Sequence, residues 1–157
     1  MPNENSLAAT FQMKRGSLFA DVRFTVDPGK PLAVLGSNGS GKSSLLHALS
    51  GLIAIRAGRI ALANITLDAP GEGCFVPPAE RRTSIVFQDY RLFGWLSVRG
   101  NLDFAVRAQA RTGTVGVSEI DELMTRFELD QIAGHRASTL SGGQSQRLAI
   151  ARALAAR

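Results

Sequence analysis

A glycine-rich octapeptide in the first third of the chain has the composition of a phosphate-binding loop. It matches the pattern G-x-x-x-x-G-K-[ST] at every fixed position, with the residues Gly36, Ser37, Asn38, Gly39, Ser40, Gly41, Lys42 and Ser43. Glycines permit a tight turn in which successive backbone N–H groups converge on an anion. A lysine at this place reaches the β- and γ-phosphates of a nucleotide, and the serine hydroxyl after it ligates Mg²⁺. The octapeptide, called the phosphate loop below (residues 36–43), therefore predicts a nucleotide-phosphate site.

The residues on either side of the phosphate loop predict a strand before it and a helix after it. Residues 32–35 are an apolar run that predicts a buried strand. Residues 44–49 predict a helix that ends at Gly51, because glycine is the usual residue just past a helix end. The N-terminus of that helix would add partial positive charge where the phosphates bind. This order of strand, loop and helix favours a nucleotide site over an ordinary glycine-rich turn.

A second candidate site lies near the other end of the chain, where residues 140–147 read Leu-Ser-Gly-Gly-Gln-Ser-Gln-Arg. Ser141 and Gln144 have the S-x-x-Q spacing of a capping box, in which each side chain bonds to the backbone N–H of the other residue. Gly142 and Gly143 leave the N–H groups behind the cap uncovered by side chains, so this helix start is also open to an anion. Taken alone, the motif is equally compatible with a well-capped helix that binds nothing.

The composition is that of a globular domain with a real core. Of the 157 residues, 45% are hydrophobic and 20% charged, and the formal net charge is +5. The basic residues are scattered, which favours a solvated surface over a nucleic-acid tract. The single cysteine, Cys74, has no partner in the chain for a disulfide, which fits a reducing cytoplasm. No apolar run approaches the ~18 residues of a membrane span, so we expect any membrane connection to go through a partner.

The first part of the chain shows mainly strand signals. Residues 7–27 predict two strands of an antiparallel hairpin, and residues 58–67 predict a further strand with a turn at Asn64. Residues 68–82 contain two glycines and three prolines and predict a surface loop. Residues 83–87 are rich in β-branched side chains and predict a buried strand that ends at Gln88.

After Gln88 the signals become helical. Ser97 is expected to cap a helix that continues to about Arg111, and residues 112–116 predict a flexible break. Ser118 is expected to cap a second helix, and a third begins after Ser141. The apolar positions of the second helix are spaced i, i+3, i+4 and i+7, which predicts a core face made of Ile120, Leu123, Met124 and Phe127. The prediction is an α/β fold with a nucleotide-binding core in residues 1–90, a helical subdomain in 91–140 and a last helix in 141–157.

Together, the phosphate loop, Gln88 and the motif at residues 140–144 resemble the nucleotide-binding domain of ATP-binding cassette (ABC) proteins, a P-loop NTPase fold. The resemblance covers nearly the whole chain. It implies that two copies form a head-to-tail dimer in which the phosphate loop of one and the LSGGQ motif of the other enclose each ATP. By the same resemblance, Lys42, Ser43 and Ser44 hold phosphates and Mg²⁺, and Gln88 touches Mg²⁺ and the attacking water. The residues expected to meet the partner's ATP are Ser141, Gly142, Gly143 and Gln144.

A narrower likeness lies in residues 81–93 and 97–102, which are similar to the ATPase subunit of molybdate importers. Related importers for sulfate, iron and polyamines share parts of this run. The likeness implies an ATPase that drives a membrane permease from the cytoplasmic face of the cell membrane, with Phe93 and Trp95 as candidate permease contacts. Burial of both aromatics inside the helical subdomain is the equally weighted alternative. Two other functions stay open: an ABC ATPase acting on nucleic acid or the ribosome, and a nucleotide-binding fragment without catalysis.

The sequence departs from the family pattern at two places. Where many members carry an aromatic residue that stacks on adenine, this chain has Met13, with Phe11 and Arg15 as possible substitutes. The family also continues beyond the LSGGQ helix with a buried strand ending in Asp-Glu (Walker B), a further Asp and a switch His, whereas this sequence ends at Arg157. We therefore expect a truncated domain that belongs to an ABC-type ATPase and that is inactive by itself, because the Glu would orient the attacking water.

Overall fold

The structure is a computed structural model that describes residues 5–109 and 117–156. The chain divides into two compact units, the first ending at Thr83 and the second beginning at Ser84. Each unit has a hydrophobic core of its own. The domain boundaries expected from the sequence, at residues 90 and 140, stay a prediction.

The first unit is built on an antiparallel sheet with the strand order β2-β1-β3-β4-β5. Its strands are β1 (Leu7–Arg15), β2 (Leu18–Val26), β3 (Ala57–Leu62), β4 (Ile65–Ala69) and β5 (Cys74–Phe75). The hairpin expected at the start of the chain is confirmed as β1 and β2, which pair in register from Leu7 opposite Val26 to Arg15 opposite Leu18. Alternate side chains of β1 are buried, namely Ala9, Phe11 and Met13, so one face of the hairpin forms the core.

The turn expected at Asn64 is also present, and it separates β3 from β4. Ala63 and Asn64 have φ values of 49° and 64°. Two successive left-handed residues are typical of a type I′ hairpin turn, whose twist matches that of the strands it joins. The single strand expected over residues 58–67 is therefore a two-stranded hairpin.

The strands expected at residues 32–35 and 83–87 are wrong for this structure. Neither segment belongs to the sheet, and no ladder involving them is found among the described residues. Leu35 is 90% exposed, and Leu32, Val34 and Val86 are exposed as well. An apolar, β-branched run becomes a strand only when another strand supplies its hydrogen bonds, and sequence propensity does not report whether that strand is there.

The surface loop expected at residues 68–82 is only partly correct. It contains two turns of 3-10 helix, Pro70–Glu72 and Pro78–Glu80, and the short strand β5. Its two ends are buried, with Asp68 and Arg81 each 1% exposed. The prolines and glycines correctly indicated turns, but they did not predict the buried ion pair between Asp68 and Arg81 that joins the two ends of the segment.

The remaining helices are α1 (Lys42–Leu49) in the first unit and α2 (Val98–Gln109), α3 (Val117–Arg126) and α4 (Gly142–Ala155) in the second. The cap at Ser97 is confirmed, because its Oγ accepts a hydrogen bond from the Gly100 N–H at 3.0 Å. The cap expected at Ser118 is wrong, since the described helix already begins at Val117. The break expected at residues 112–116 lies outside the described residues.

The core of the second unit confirms the expected apolar face of α3. Ile120, Leu123 and Met124 are buried, and Phe127 packs against them. They lie with Leu102 of α2 and Leu148 of α4 in one cluster. None of the helices in residues 5–109 and 117–156 is both long and apolar enough to cross a lipid bilayer.

Candidate functional site

The phosphate loop leads into the N-terminus of α1, as expected, and that N-terminus is open. Gly41 occupies the cap position in a left-handed conformation, with φ 95°, and makes no side-chain cap. The first turn of α1 contains no acidic residue. The first N–H groups of a helix have no partner within it, so they and the helix dipole favour an anion at this point. The loop residues 36–40 are exposed, which leaves the N-terminus accessible.

Gly41 is favoured mainly by its left-handed backbone, and a side chain here would also contact β2. A Cβ at this position would lie 2.8 Å from Cδ2 of Leu18 in β2. The end of the Leu18 side chain would have to shift to make room for a larger residue, and the left-handed φ would cost that residue energy.

The Lys42 side chain folds back across the loop. Its Nζ donates hydrogen bonds to the carbonyl oxygens of Gly36 at 2.8 Å and Ser37 at 2.7 Å. The ammonium group thus lies beside the first two residues of the loop, held by neutral acceptors. Phosphate oxygens carry full charge and make stronger hydrogen bonds with an ammonium than carbonyls do. The loop amides, the helix N-terminus and this cation form a donor set that fits a polyphosphate.

The two serines after Lys42 have different surroundings. Ser43 is exposed, whereas Ser44 is buried and its Oγ accepts a 3.4 Å hydrogen bond from a terminal nitrogen of Arg15. The exposed Ser43 hydroxyl fits the expected role at Mg²⁺, which favours oxygen ligands and keeps several waters. The expected role of Ser44 at the phosphates stays a prediction.

The candidates for stacking on adenine are reduced to one. Phe11 and Met13 are 1% and 2% exposed and belong to the core of the first unit, so neither presents a surface to a base. The suggestion that Phe11 substitutes for the missing aromatic is therefore wrong, because β1 directs it inward. Arg15 is exposed at the end of β1, and its guanidinium lies beside α1. A planar guanidinium can stack on an aromatic ring.

Gln88 belongs to the second unit and is exposed in the turn that precedes α2. Two residues further on, Tyr90 and Arg91 both have left-handed backbones, with φ 56° and 45°. Their carbonyl oxygens accept hydrogen bonds from Arg152 of α4, at 2.9 Å and 2.7 Å. Burial lowers the pKa of the Arg152 guanidinium, which nevertheless stays charged at neutral pH. Helix α4 therefore fixes the strained turn that follows Gln88.

The capping box predicted at the start of α4 is confirmed. The Gln144 N–H donates to Ser141 Oγ at 3.3 Å, and the Ser141 N–H donates to Gln144 Oε1 at 2.9 Å. Gly142 and Gly143 are exposed, and a Cβ on either would meet nothing within 4 Å. The surface over the first turn of α4 is thus free of side chains from these two residues, which suits close approach of a ligand.

The structure therefore places the expected site residues in two groups. The phosphate loop, Ser44 and Arg15 lie together in the first unit, and Gln88 and the residues 141–144 belong to the second. Sequence reasoning missed two arginines that hold these groups, Arg81 and Arg152. Each of them bonds to backbone carbonyls more than 30 positions away in the chain, which no local pattern could have indicated.

Comparison with known proteins identifies the family. The family described as ABC transporter matches residues 19–157. The chain is 36% identical over 150 residues to the molybdenum import ATP-binding protein ModC of Brucella abortus (strain 2308) and 40% identical over 142 residues to ModC of Mycobacterium tuberculosis (strain ATCC 25618 / H37Rv). It is 35% identical over 150 residues to the taurine import ATP-binding protein TauB of Pseudomonas putida. The chain belongs to the ABC transporter family, and these relatives are ATP-binding proteins.

The matches cover most of this chain but only part of each relative. They span 96% of the chain and 41% of the Brucella protein, 87% and 38% for the Mycobacterium protein, and 96% and 54% for TauB. A solved structure of the ATP-binding subunit of an ABC transporter superposes with a TM-score of 0.70 at 22% identity, over 96% of this chain and 62% of that one. The fold is thus that of an ABC nucleotide-binding domain, with the antiparallel hairpin and helical subdomain expected from the sequence.

Proposed function

We propose that this chain is the ATP-binding part of an ABC importer ATPase, in which ATP hydrolysis drives transport of a small solute. The observation that carries the proposal is the open N-terminus of α1 beneath a lysine-bearing glycine loop. This arrangement supplies backbone donors, a helix dipole and a side-chain cation at one point, which is what a nucleoside triphosphate requires. The transport part of the proposal is supported by the similarity to the ATP-binding proteins of importers.

Each expected residue has a part in this proposal. Lys42 exchanges its two carbonyl acceptors for the β- and γ-phosphate oxygens, and the loop amides bind the remaining oxygens. Ser43 would supply a hydroxyl to Mg²⁺, which neutralises charge on the phosphates when bound. By the family resemblance, Gln88 would contact the metal and the attacking water with its side-chain amide. Arg15 lies against the adenine. In phosphoryl transfer such positioning and charge neutralisation account for most of the catalysis.

The first turn of α4 is proposed to act on a second nucleotide. Ser141, Gly142, Gly143 and Gln144 present an uncovered helix N-terminus, which would meet the γ-phosphate held by another copy of the ATPase. The two copies would form the head-to-tail dimer that the family resemblance implies, bound to permease subunits at the cytoplasmic face of the cell membrane. Molybdate is the proposed cargo because the ModC relatives match over nearly the whole chain, and taurine is the competing cargo because TauB matches equally far.

The binding step is tested by calorimetry with Mg²⁺-ATP on the full chain and on Lys42→Ala. We expect the mutation to abolish binding or to weaken it at least roughly hundredfold, since charge-assisted hydrogen bonds contribute about 1.5–3 kcal/mol each. Lys30→Ala is the matched control, because Lys30 is also exposed and pairs with Asp27 outside the loop. Equal ATP affinity for folded Lys42→Ala and wild type would contradict the proposal.

The role of Gln88 is tested separately by phosphate release in the assembled transporter. Gln88→Ala is expected to keep the ATP dissociation constant within about threefold and to lower turnover roughly hundredfold, as misplacement of a reacting group typically does. Gln131→Ala, a change of the same type in a turn after α3, is the control and should leave turnover unchanged. A Gln88→Ala protein that hydrolyses ATP at the wild-type rate would remove this residue from the reaction.

A further inference from the structure

The buried Arg81 bonds to the far end of the helix that carries the phosphate loop. Its side chain is 1% exposed, and one terminal nitrogen donates to the carbonyl oxygens of Ala48 at 3.0 Å and Leu49 at 3.1 Å. These are the last residues of α1. The last carbonyls of a helix have no partner within it, so the guanidinium satisfies two of them and places a positive charge at the negative end of the helix dipole.

The same guanidinium fixes its own position against the sheet. Nε donates to the carbonyl oxygen of Val76 at 2.7 Å, and the second terminal nitrogen faces Asp68 Oδ2 at 3.4 Å. Asp68 is in β4 and is 1% exposed, and the same oxygen accepts from the Ile55 N–H at 3.2 Å. Arg81 therefore connects α1 rigidly to β4 and to the segment after β5.

The chain leaves space for this guanidinium at Gly51. Gly51 has φ 78°, and its N–H donates to the Ala48 carbonyl at 3.1 Å, which ends α1. A Cβ at Gly51 would collide with Nε of Arg81. Glycine is thus needed both for the left-handed turn and for the close approach of Arg81.

We propose that Arg81 is a positioning residue for the nucleotide site, an inference that rests on the proposed function. Helix α1 has only eight residues, and a helix this short holds its direction through tertiary contacts rather than through its own stability. Fixing its C-terminal carbonyls fixes the direction in which its N-terminal N–H groups and Lys42 point. Loosening that end tilts the donors away from the phosphates, because electrostatic binding by preorganised donors depends on their placement.

The experiment compares Arg81→Lys with wild type in the full chain. Lysine keeps the charge beside Asp68 but lacks the fork that bonds three carbonyls at once. At a temperature where circular dichroism shows both proteins folded, we expect the dissociation constants for Mg²⁺-ATP and for magnesium tripolyphosphate to rise about tenfold together. Arg59→Lys is the matched control, since Arg59 pairs with Glu72 on the surface of the same unit, and its affinities should not change.

Amide exchange of the ligand-free protein gives a readout that does not depend on nucleotide binding. In Arg81→Lys the amides of α1 should exchange at least about tenfold faster, while those of β1 keep the wild-type rate. This separates the two proposals. If wild type fails to bind ATP but the exchange result holds, the proposed function fails, whereas the fixing of α1 by Arg81 stands.

A role confined to stability would give a different result, namely a lower unfolding midpoint with unchanged affinity for both ligands in the folded protein. That outcome, or unchanged exchange in α1, overturns the inference.

A second variant serves if Arg81→Lys does not fold. Gly51→Ala keeps the arginine but adds a Cβ that would displace its guanidinium, and it is expected to weaken ATP binding by a similar factor. Its control is Gly73→Ala, which has a similar left-handed φ of 65° but open space around the added Cβ. Equal ATP affinity for these two variants would also overturn the inference.

Discussion

Gly58 in β3 shows how closely two backbones can approach when a side chain is absent. It pairs with Phe11 of β1, has φ 94°, and a Cβ there would collide with the carbonyl oxygen of Thr10. The atoms that the Cβ would meet belong to the backbone of β1 and not to a flexible side chain, so the two strands would have to separate. The packing of β1 on β3 therefore depends on this glycine.

We expect Gly58→Ala to lower the free energy of unfolding by about 2–5 kcal/mol, because the left-handed conformation costs about 1–2 kcal/mol and overpacking about 1–3 kcal/mol more. Urea denaturation measures the change. Gly29→Ala is the control, since Gly29 has φ 74° with nothing within 4 Å of an added Cβ, and it should lose only the first contribution. Equal losses in the two variants would show that the contact with β1 is unimportant.

Two reciprocal hydrogen bonds between Ser141 and Gln144 stabilise the first turn of helix α4. Ser141→Ala removes the acceptor for the Gln144 N–H, and N-cap substitutions of this kind typically cost about 1 kcal/mol. We expect a matching increase in amide exchange near the start of α4. Ser145→Ala lies inside the same helix and should be neutral or slightly stabilising, since alanine is the better helix former. No difference between the variants would mean that the box does not stabilise the helix.

The elements that the sequence predicts correctly are those whose signals are local. The capping box of α4, the glycine after α1 and the turn between β1 and β2 are each encoded within a few residues. Residues 32–35 and 83–87 failed as strands because a ladder needs a second segment that their own sequence does not specify. Sequence reasoning missed Arg81 for the same reason, since its acceptors Ala48 and Asp68 lie 33 and 13 positions away.

On the scale of the whole chain, each unit has a separate core and carries some of the residues expected at a site. The family and the residues of the phosphate loop were predictable from sequence, because a motif with fixed spacing needs no tertiary information. The exposure of Phe93 and Trp95 was not predictable in this way. The sequence left Phe93 and Trp95 equally open to burial or to partner contact, and exposure depends on the packing around them.

The structure now separates these two aromatics. Trp95 is 74% exposed, and its ring centroid lies 5.4 Å from that of Phe93, which in turn packs edge-on against Phe104 at 4.5 Å. Phe93 is only half-buried and lies beneath Arg152, whose guanidinium is 5.4 Å from the ring centroid. An exposed tryptophan next to other aromatic side chains is typical of an interaction surface, where tryptophan is enriched.

Trp95 is also the only tryptophan of the 157 residues, so its fluorescence reports the proposed permease contact directly. We expect its emission to shift to shorter wavelength and its quenching by acrylamide to fall when the full chain binds the importer's permease in detergent, because the indole leaves water. Mg²⁺-ATP alone should produce neither change. The control is Trp95→Phe combined with Phe19→Trp, which moves the probe to an exposed position in β2 and should show no shift. If the complex forms, as judged by co-purification, and the wild-type emission stays unchanged, the permease contacts another face, and the exposed aromatics need a different partner.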